Sequence, residues 1–206
     1  GPLLLRDLLI ADLLEELART GGQVEASLVV VRAFQTRAPS SFPIRRLLAA
    51  FLTMNHQSAP ALNFLEVCLR EQPSNLADLL DAYRLSLMLG DLPRAERLGR
   101  RVHAVYVPLL EACRDMAREL HGEEKDGFWQ QLHNLESPSL NLYNAMIQLK
   151  ARQGARDTVQ DLLTELFLAR PTNSLVAKKL ADFLPDSWER IRKALRAYAE
   201  SLIFSR

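Results

Sequence analysis

Residues 76–108 read LADLL DAYRLSLMLG DLPRAERLGR RVHAVYVP. Leu79, Leu80, Tyr83 and Leu87 recur at helical spacing up to Gly90-Asp91, and a second amphipathic run follows as far as Pro108. Two helices around a glycine turn are therefore the expected unit. The same spacing appears on both sides of it, in Leu47, Leu48, Phe51 and Leu52 and again in Leu162, Leu163, Leu166 and Phe167. Gly21, Gly22, Gly122, Gly127 and Gly154 fall between such runs and read as helix stops, with Gly99 the exception. Val29-Val30-Val31 is the one β-branched cluster, and it lies in a run from Val24 to Phe34 that suits a buried helix. The pattern predicts an all-α chain, an α-solenoid of stacked antiparallel helix pairs with about nine to eleven helices. They are expected at 3–20, 23–36, 43–54, 58–71, 75–89, 92–120, 124–135, 139–153, 155–169, 173–184 and 186–204. Ser41 is placed to cap the third, Pro43 suits its first turn, and Asp186 with Glu189 has capping-box spacing before the last. Pro108 lacks an amide proton and is expected to kink or divide the long helix.

Pro39, Pro73 and Pro108 recur 34 and 35 residues apart, and Pro171 closes a further helix. Units 8–41, 42–75 and 76–109 place Gly22, His56 and Gly90 at one shared mid-unit turn. Ala49, Ala61 and Ala95 fall within the predicted helices, and Gly90-Asp91 lies just before Ala95. On these residues the chain resembles the tetratricopeptide family, which implies helix pairs stacked into a curved binding surface. Tyr83 and Glu15 replace the family's small residue in their units, and its signature Trp is missing. Tyr143-Asn144-Ala145-Met146-Ile147, with Gly154 and then Leu162, Leu163 and Leu166, resembles one pentatricopeptide motif. Between about 110 and 139 neither register holds, so a single helical-repeat domain over 3–206 with an irregular insertion there is expected. Gly122 to Gly127 reads as a solvated loop within it. Gly1-Pro2 looks like the scar of a cleaved tag, and the remainder like part of a longer protein.

With 206 residues, 48% hydrophobic and 25% charged, the chain is large enough to bury one real core. Its 26 basic and 25 acidic residues nearly cancel, so no global field draws it to nucleic acid or to an anionic membrane. The longest apolar stretches, such as Leu47 to Met54, fall far short of a bilayer span. Cys68 and Cys113 form no metal-binding spacing and no disulfide framework, which suits a reducing, intracellular compartment, cytoplasmic or nuclear. No nucleophile elbow, HExxH or phosphate-cradling glycine loop accompanies His103, Glu111 and Cys113, so no enzyme activity and no cofactor is expected. His121, Glu123, Glu124 and His133 match no common metal site, and no metal is expected.

Arg94, Arg97 and Arg101 follow at i, i+3 and i+7, so one helix face presents three guanidinium groups, flanked by Arg100. Such a row suits an acidic peptide or phosphates, and its plain alternative is a solvated face. Arg190, Lys193 and Arg196, with Arg192 beside them, form a second row in the final helix. Arg46 falls near one position of the carboxylate clamp known in some tetratricopeptide domains, but Ala50 stands where Asn is expected, so the clamp is not supported. Phe128 and Trp129 are candidate exposed anchors beside the charged segment, with core packing as the alternative. The last helix, with Trp188, Ile191, Leu195, Tyr198 and Leu202 on one face, reads as a cap or a dock for a continuation. Together these features predict a scaffold that binds a protein or peptide segment. RNA binding is the second reading and homodimerisation through the first or last helix the third.

Overall fold

The computed structural model describes the backbone of residues 5, 7–133 and 138–204, with side chains except those of residue 8, residue 129 and residues 131–140. Its helices are α1 (Leu8–Thr20), α2 (Val24–Arg37), α3 (Phe42–Met54), α4 (Ser58–Glu71), α5 (Leu76–Met88), α6 (Leu92–Arg118), α7 (Glu123–His133), α8 (Pro138–Arg152), α9 (Arg156–Ala169), α10 (Ser174–Phe183) and α11 (Glu189–Phe204). No strand occurs among the described residues. Successive helices pack on one another, which makes the chain an all-α solenoid.

The 34-residue period is physical. Leu8, Phe42 and Leu76 open the first helix of their units, Val24, Ser58 and Leu92 open the second, and Thr20, Met54 and Met88 end the first. At the turn between them Gly22, His56 and Gly90 all take the left-handed conformation, with φ of +80°, +59° and +72°. Asp7, Asn75 and Asp91 each accept a backbone N–H at the start of α1, α5 and α6, at 3.0, 3.1 and 3.1 Å. Ser41 occupies the cap position of α3 without making that bond. Ala49, Ala61 and Ala95 are buried at the close contacts. Tyr83 departs from this rule because its bulk is met by the glycine opposite. A Cβ on Gly99 would lie 3.3 Å from the Tyr83 ring. Gly99, inside α6, is therefore the small partner of the bulky Tyr83.

Four local expectations are corrected. Glu123 to Gly127, read as a loop, form the exposed opening of α7, since three acidic residues in a first turn suit the positive end of the helix dipole. Pro108 does not divide α6, which runs on as one helix. Its two halves have different supports. Leu98, Val102, Val105 and Leu109 pack on the main core, while Cys113, Met116 and Ala117 form a second cluster with Leu120, Phe128 and Ala145. Asp186 does not cap the last helix but pairs with Arg192, and a short 3-10 turn at Asp186–Trp188 precedes α11.

The last correction concerns closure. The final helix is neither a free cap nor an open dock, because α11 packs along α1 in the most extensive helix pairing of the molecule. Ile191, Leu195, Tyr198 and Leu202 are buried with Ile10, Leu13, Leu14 and Leu17 in one continuous core. Arg190 pairs with Asp12 and lies 3.7 Å from Glu15, which explains an acidic residue where the repeat pattern asks for a small one. The return path from α8 to α11 also lays α9 against α3 and α5. The inner face of the first three units is thereby covered by the chain's own second half.

Two stability outcomes follow from these contacts. Ala61→Leu and Ala95→Leu each overpack a close helix contact and should cost about 1–3 kcal/mol in a thermal or denaturant melt. Unchanged melting would mean that neither contact is tight. Gly22→Ala places a Cβ 2.6 Å from the Leu202 side chain in a left-handed backbone, and should cost on the order of 1–3 kcal/mol. Measuring it beside Gly90→Ala, whose added Cβ meets nothing within 4 Å, separates the contact with α11 from backbone strain.

Candidate partner-binding groove

The end of α4, the following Pro73 and the first turns of α6 flank a groove of ≈ 520 Å³, with Leu69 and Leu98 among its lining residues. Both leucines are buried and belong to the core, so the groove is set by rigid packing. Its polar residues are Glu66 and Arg70 from α4 and Arg94, Arg97 and Arg101 from α6. The arginine row expected from sequence thus shares one concave surface. Arg70, one repeat unit earlier, is a fourth guanidinium that sequence reasoning missed. Only the stacking of units brings it beside the row.

These four side chains are held unequally. The Arg94 Nε lies between two carboxylates, 3.2 Å from Asp91 Oδ2 and 3.3 Å from Glu66 Oε1, without hydrogen-bond geometry to either. Arg101 Nη2 donates to the Pro73 carbonyl at 3.0 Å. Arg70 and Arg97 are exposed and have no hydrogen bond or ion pair among the described residues. Arg100, on the flank of the row, is paired with Glu96. Each guanidinium carries five N–H donors, so the groove is rich in unused donors with few acceptors of its own.

The other candidates are distributed differently. In the final helix Arg190 pairs with Asp12, Lys193 lies 3.7 Å from Glu189 and Arg196 lies 3.2 Å from Asp182, so that row is neutralised in place. Phe128 is not an exposed anchor. It is 3% exposed and packed with Met116, Leu120 and Ala145 in the second cluster, where α7 lies against α8. The Trp129 side chain lies outside the described residues, as does that of His133. Cys113 is fully buried, and burial pushes its thiol upward, while His103 and Glu111 are exposed. Cys68 is buried too, its thiol pushed up to about 12 chiefly by loss of solvent. Among the described residues no three His, Cys, Asp or Glu side chains are placed to hold a metal ion, and no helix is long and apolar enough to cross a membrane.

Arg46, near the clamp position, is directed inward. It is 2% exposed and donates to Asp78 at 2.5 Å and Asp81 at 2.6 Å. Arg170, at the end of α9, makes a bidentate pair with Asp81, both bonds at 2.9 Å. Burial would raise the Asp81 carboxyl, but the hydrogen bonds and charge of Arg170, together with Arg46, hold it below the usual range. Asp78 is held above that range by burial, which outweighs Arg46. Beside this network the Tyr143 hydroxyl donates to Glu165 at 2.9 Å and accepts the Ala77 N–H at 3.0 Å. Burial pushes the Glu165 carboxyl up to about 7, with Asp78 and Asp161 adding to the shift and the Tyr143 bond opposing it.

The raised Glu165 value has a definite sign in stability. The folded protein takes up this proton near pH 7, the unfolded chain only near 4.5, so this group's contribution to stability rises as pH falls between those values and is lost as pH rises through about 7. Glu165→Gln, whose amide oxygen still accepts from Tyr143, should therefore gain on the wild type in melting temperature as pH rises across that window. A constant difference from pH 4.5 to 8 would contradict the raised value. No protein-family model matches this sequence and no curated protein matches it, so its likeness to helical repeats rests on the residues and contacts described above.

Proposed function

We propose that this chain is a protein-interaction module of an intracellular scaffold, resembling tetratricopeptide repeats, and that its partner docks in the groove between α4 and α6. The carrying observation is the gathering of Arg70, Arg94, Arg97 and Arg101 on one rigid concave surface with most of their donors unused. Two features support placing the interaction there. The inner helices of the second and third units, α3 and α5, are packed against α9, where Arg46 and Arg170 pair with Asp78 and Asp81. The apolar faces of α1 and α11, which suggested homodimerisation, are packed on each other. Two buried free cysteines are compatible with an intracellular setting.

The test is charge reversal of the row, Arg94→Glu with Arg97→Glu and Arg101→Glu, in the full-length parent protein. Exposed ion pairs are typically worth about 0–1 kcal/mol each, so melting should shift by only a few degrees while partner capture at fixed salt is lost. Retention of the same captured proteins would remove the groove from consideration. RNA shares the chemistry of guanidinium recognition, and a salt-dependent RNA shift abolished by the same reversal would favour that reading instead.

A further inference from the structure

We infer that the groove takes a short acidic segment of a protein, carboxylates on its rim and an apolar side chain over Leu69 and Leu98, and that Glu66 is a built-in competitor for Arg94. This rests on the groove being a protein-docking site and goes further by naming what the partner must present.

Four guanidinium groups line the groove against one lining carboxylate, Glu66. Within the described structure only Arg101 makes a hydrogen bond from its guanidinium, to Pro73, so an occupant that satisfies the others must be rich in acceptors and negatively charged. The four divide by role. Arg94 and Arg101 are restrained by neighbours of their own, whereas Arg70 and Arg97, one on each wall, have no partner among the described residues and line the same space. An occupant between α4 and α6 can therefore pair with both walls at once. Along α6 the row from Arg94 to Arg101 spans roughly 10 Å at 1.5 Å per residue. That is room for two or three carboxylates, not for a long polyanion.

The surroundings distinguish a short acidic segment from a nucleic acid. A phosphate backbone needs a continuous basic track, and here the neutral balance of the chain extends to the groove's own neighbourhood. Asp91 lies at one end of the row, Glu96 is exposed on the same helix, and Glu71 follows Arg70 on the opposite wall. A polymer tracking beyond the groove would meet charges already paired, Glu96 with Arg100 and Glu71 with Arg45, rather than a continuous basic track. A segment that ends within it would not. Leu69, Leu98 and Pro73 give that segment an apolar contact which a phosphodiester chain does not use.

Glu66 makes the inference specific. Its carboxylate, 3.3 Å from the Arg94 Nε, sits where an incoming carboxylate would pair. Removing that charge should strengthen binding of an acidic ligand, a direction that a merely structural role for Glu66 would not produce.

The probe is a short fluorescent peptide of Glu residues around one central Leu, titrated by anisotropy at low salt against the intact chain. Arg70→Glu and Arg97→Glu, which break no existing pair, should each weaken binding on the order of tenfold with unchanged melting. Glu66→Gln should strengthen it about two- to fivefold, and the same peptide with Gln for Glu should not bind. The inference is overturned if the acidic peptide fails to bind, if it binds equally well to the Arg70 and Arg97 variants, if Glu66→Gln weakens it, or if labelled single-stranded RNA competes for the groove more strongly. Failure here with partner capture still lost in the triple reversal would leave the docking groove standing and the acidic segment rejected. Failure here together with partner capture retained in the triple reversal would remove the groove altogether.

Discussion

Arg46, on α3, has almost no access to water, and a guanidinium there is tolerable only if counter-charges are buried with it. Asp78 and Asp81 on α5 supply them, and Arg170 at the end of α9 restores the balance to two cations and two carboxylates. Removing any one member leaves the charges of the network unbalanced. The network therefore ties α3, α5 and α9 into one register, although α9 follows α5 by some distance in the chain. The Tyr143 hydroxyl extends the join by bonding both the first turn of α5 and Glu165 on α9. Few arrangements of the second half satisfy these groups together, which gives the returning helices a defined seat.

That seat changes what a stack of helix pairs can do. Three units in line would present a curved inner face, and α9 covers it here while α11 closes on α1. The closure removes the exposed apolar end that a repeat array otherwise has to cap. On the outer side, concave surface remains in the seam between second helices of successive units. The groove between α4 and α6 is such a seam, with its shape set by buried Leu69 and Leu98 and its charge by side chains from two units.

Within each unit the spacing of small residues and left-handed turns does the local work. His56 shows that the turn demands the backbone conformation more strictly than it demands glycine, since it takes φ of +59° in the place of Gly22 and Gly90. Tyr83 and Gly99 show the same for helix contacts. The backbones can approach when either partner is small, so the pattern tolerates an exchange of bulk across the interface. A family pattern that fixes small residues at single positions reads Tyr83 as a departure. The packed pair reads it as a compensation.

Helix positions, the 34-residue period and the arginine row on α6 were legible in the sequence, because each depends on neighbours within one helix or one turn. Apolar spacing, a left-handed turn and an i, i+3, i+7 row are short-range facts, and they survive into the structure at nearly the same residues. What depends on long-range packing was not legible. Nothing near Arg46 in the sequence announces Arg170, nothing near Arg97 announces Arg70, and the apolar stripe of α11 suits an outside partner as well as it suits α1. Phe128 could be read as an anchor or as core, and only the cluster it forms with Met116, Leu120 and Ala145 decided for the core. The reason is physical: periodicity states that a face must be covered and charge states that a group must be paired. Which surface covers it and which group pairs with it is settled when distant segments compete for the same space.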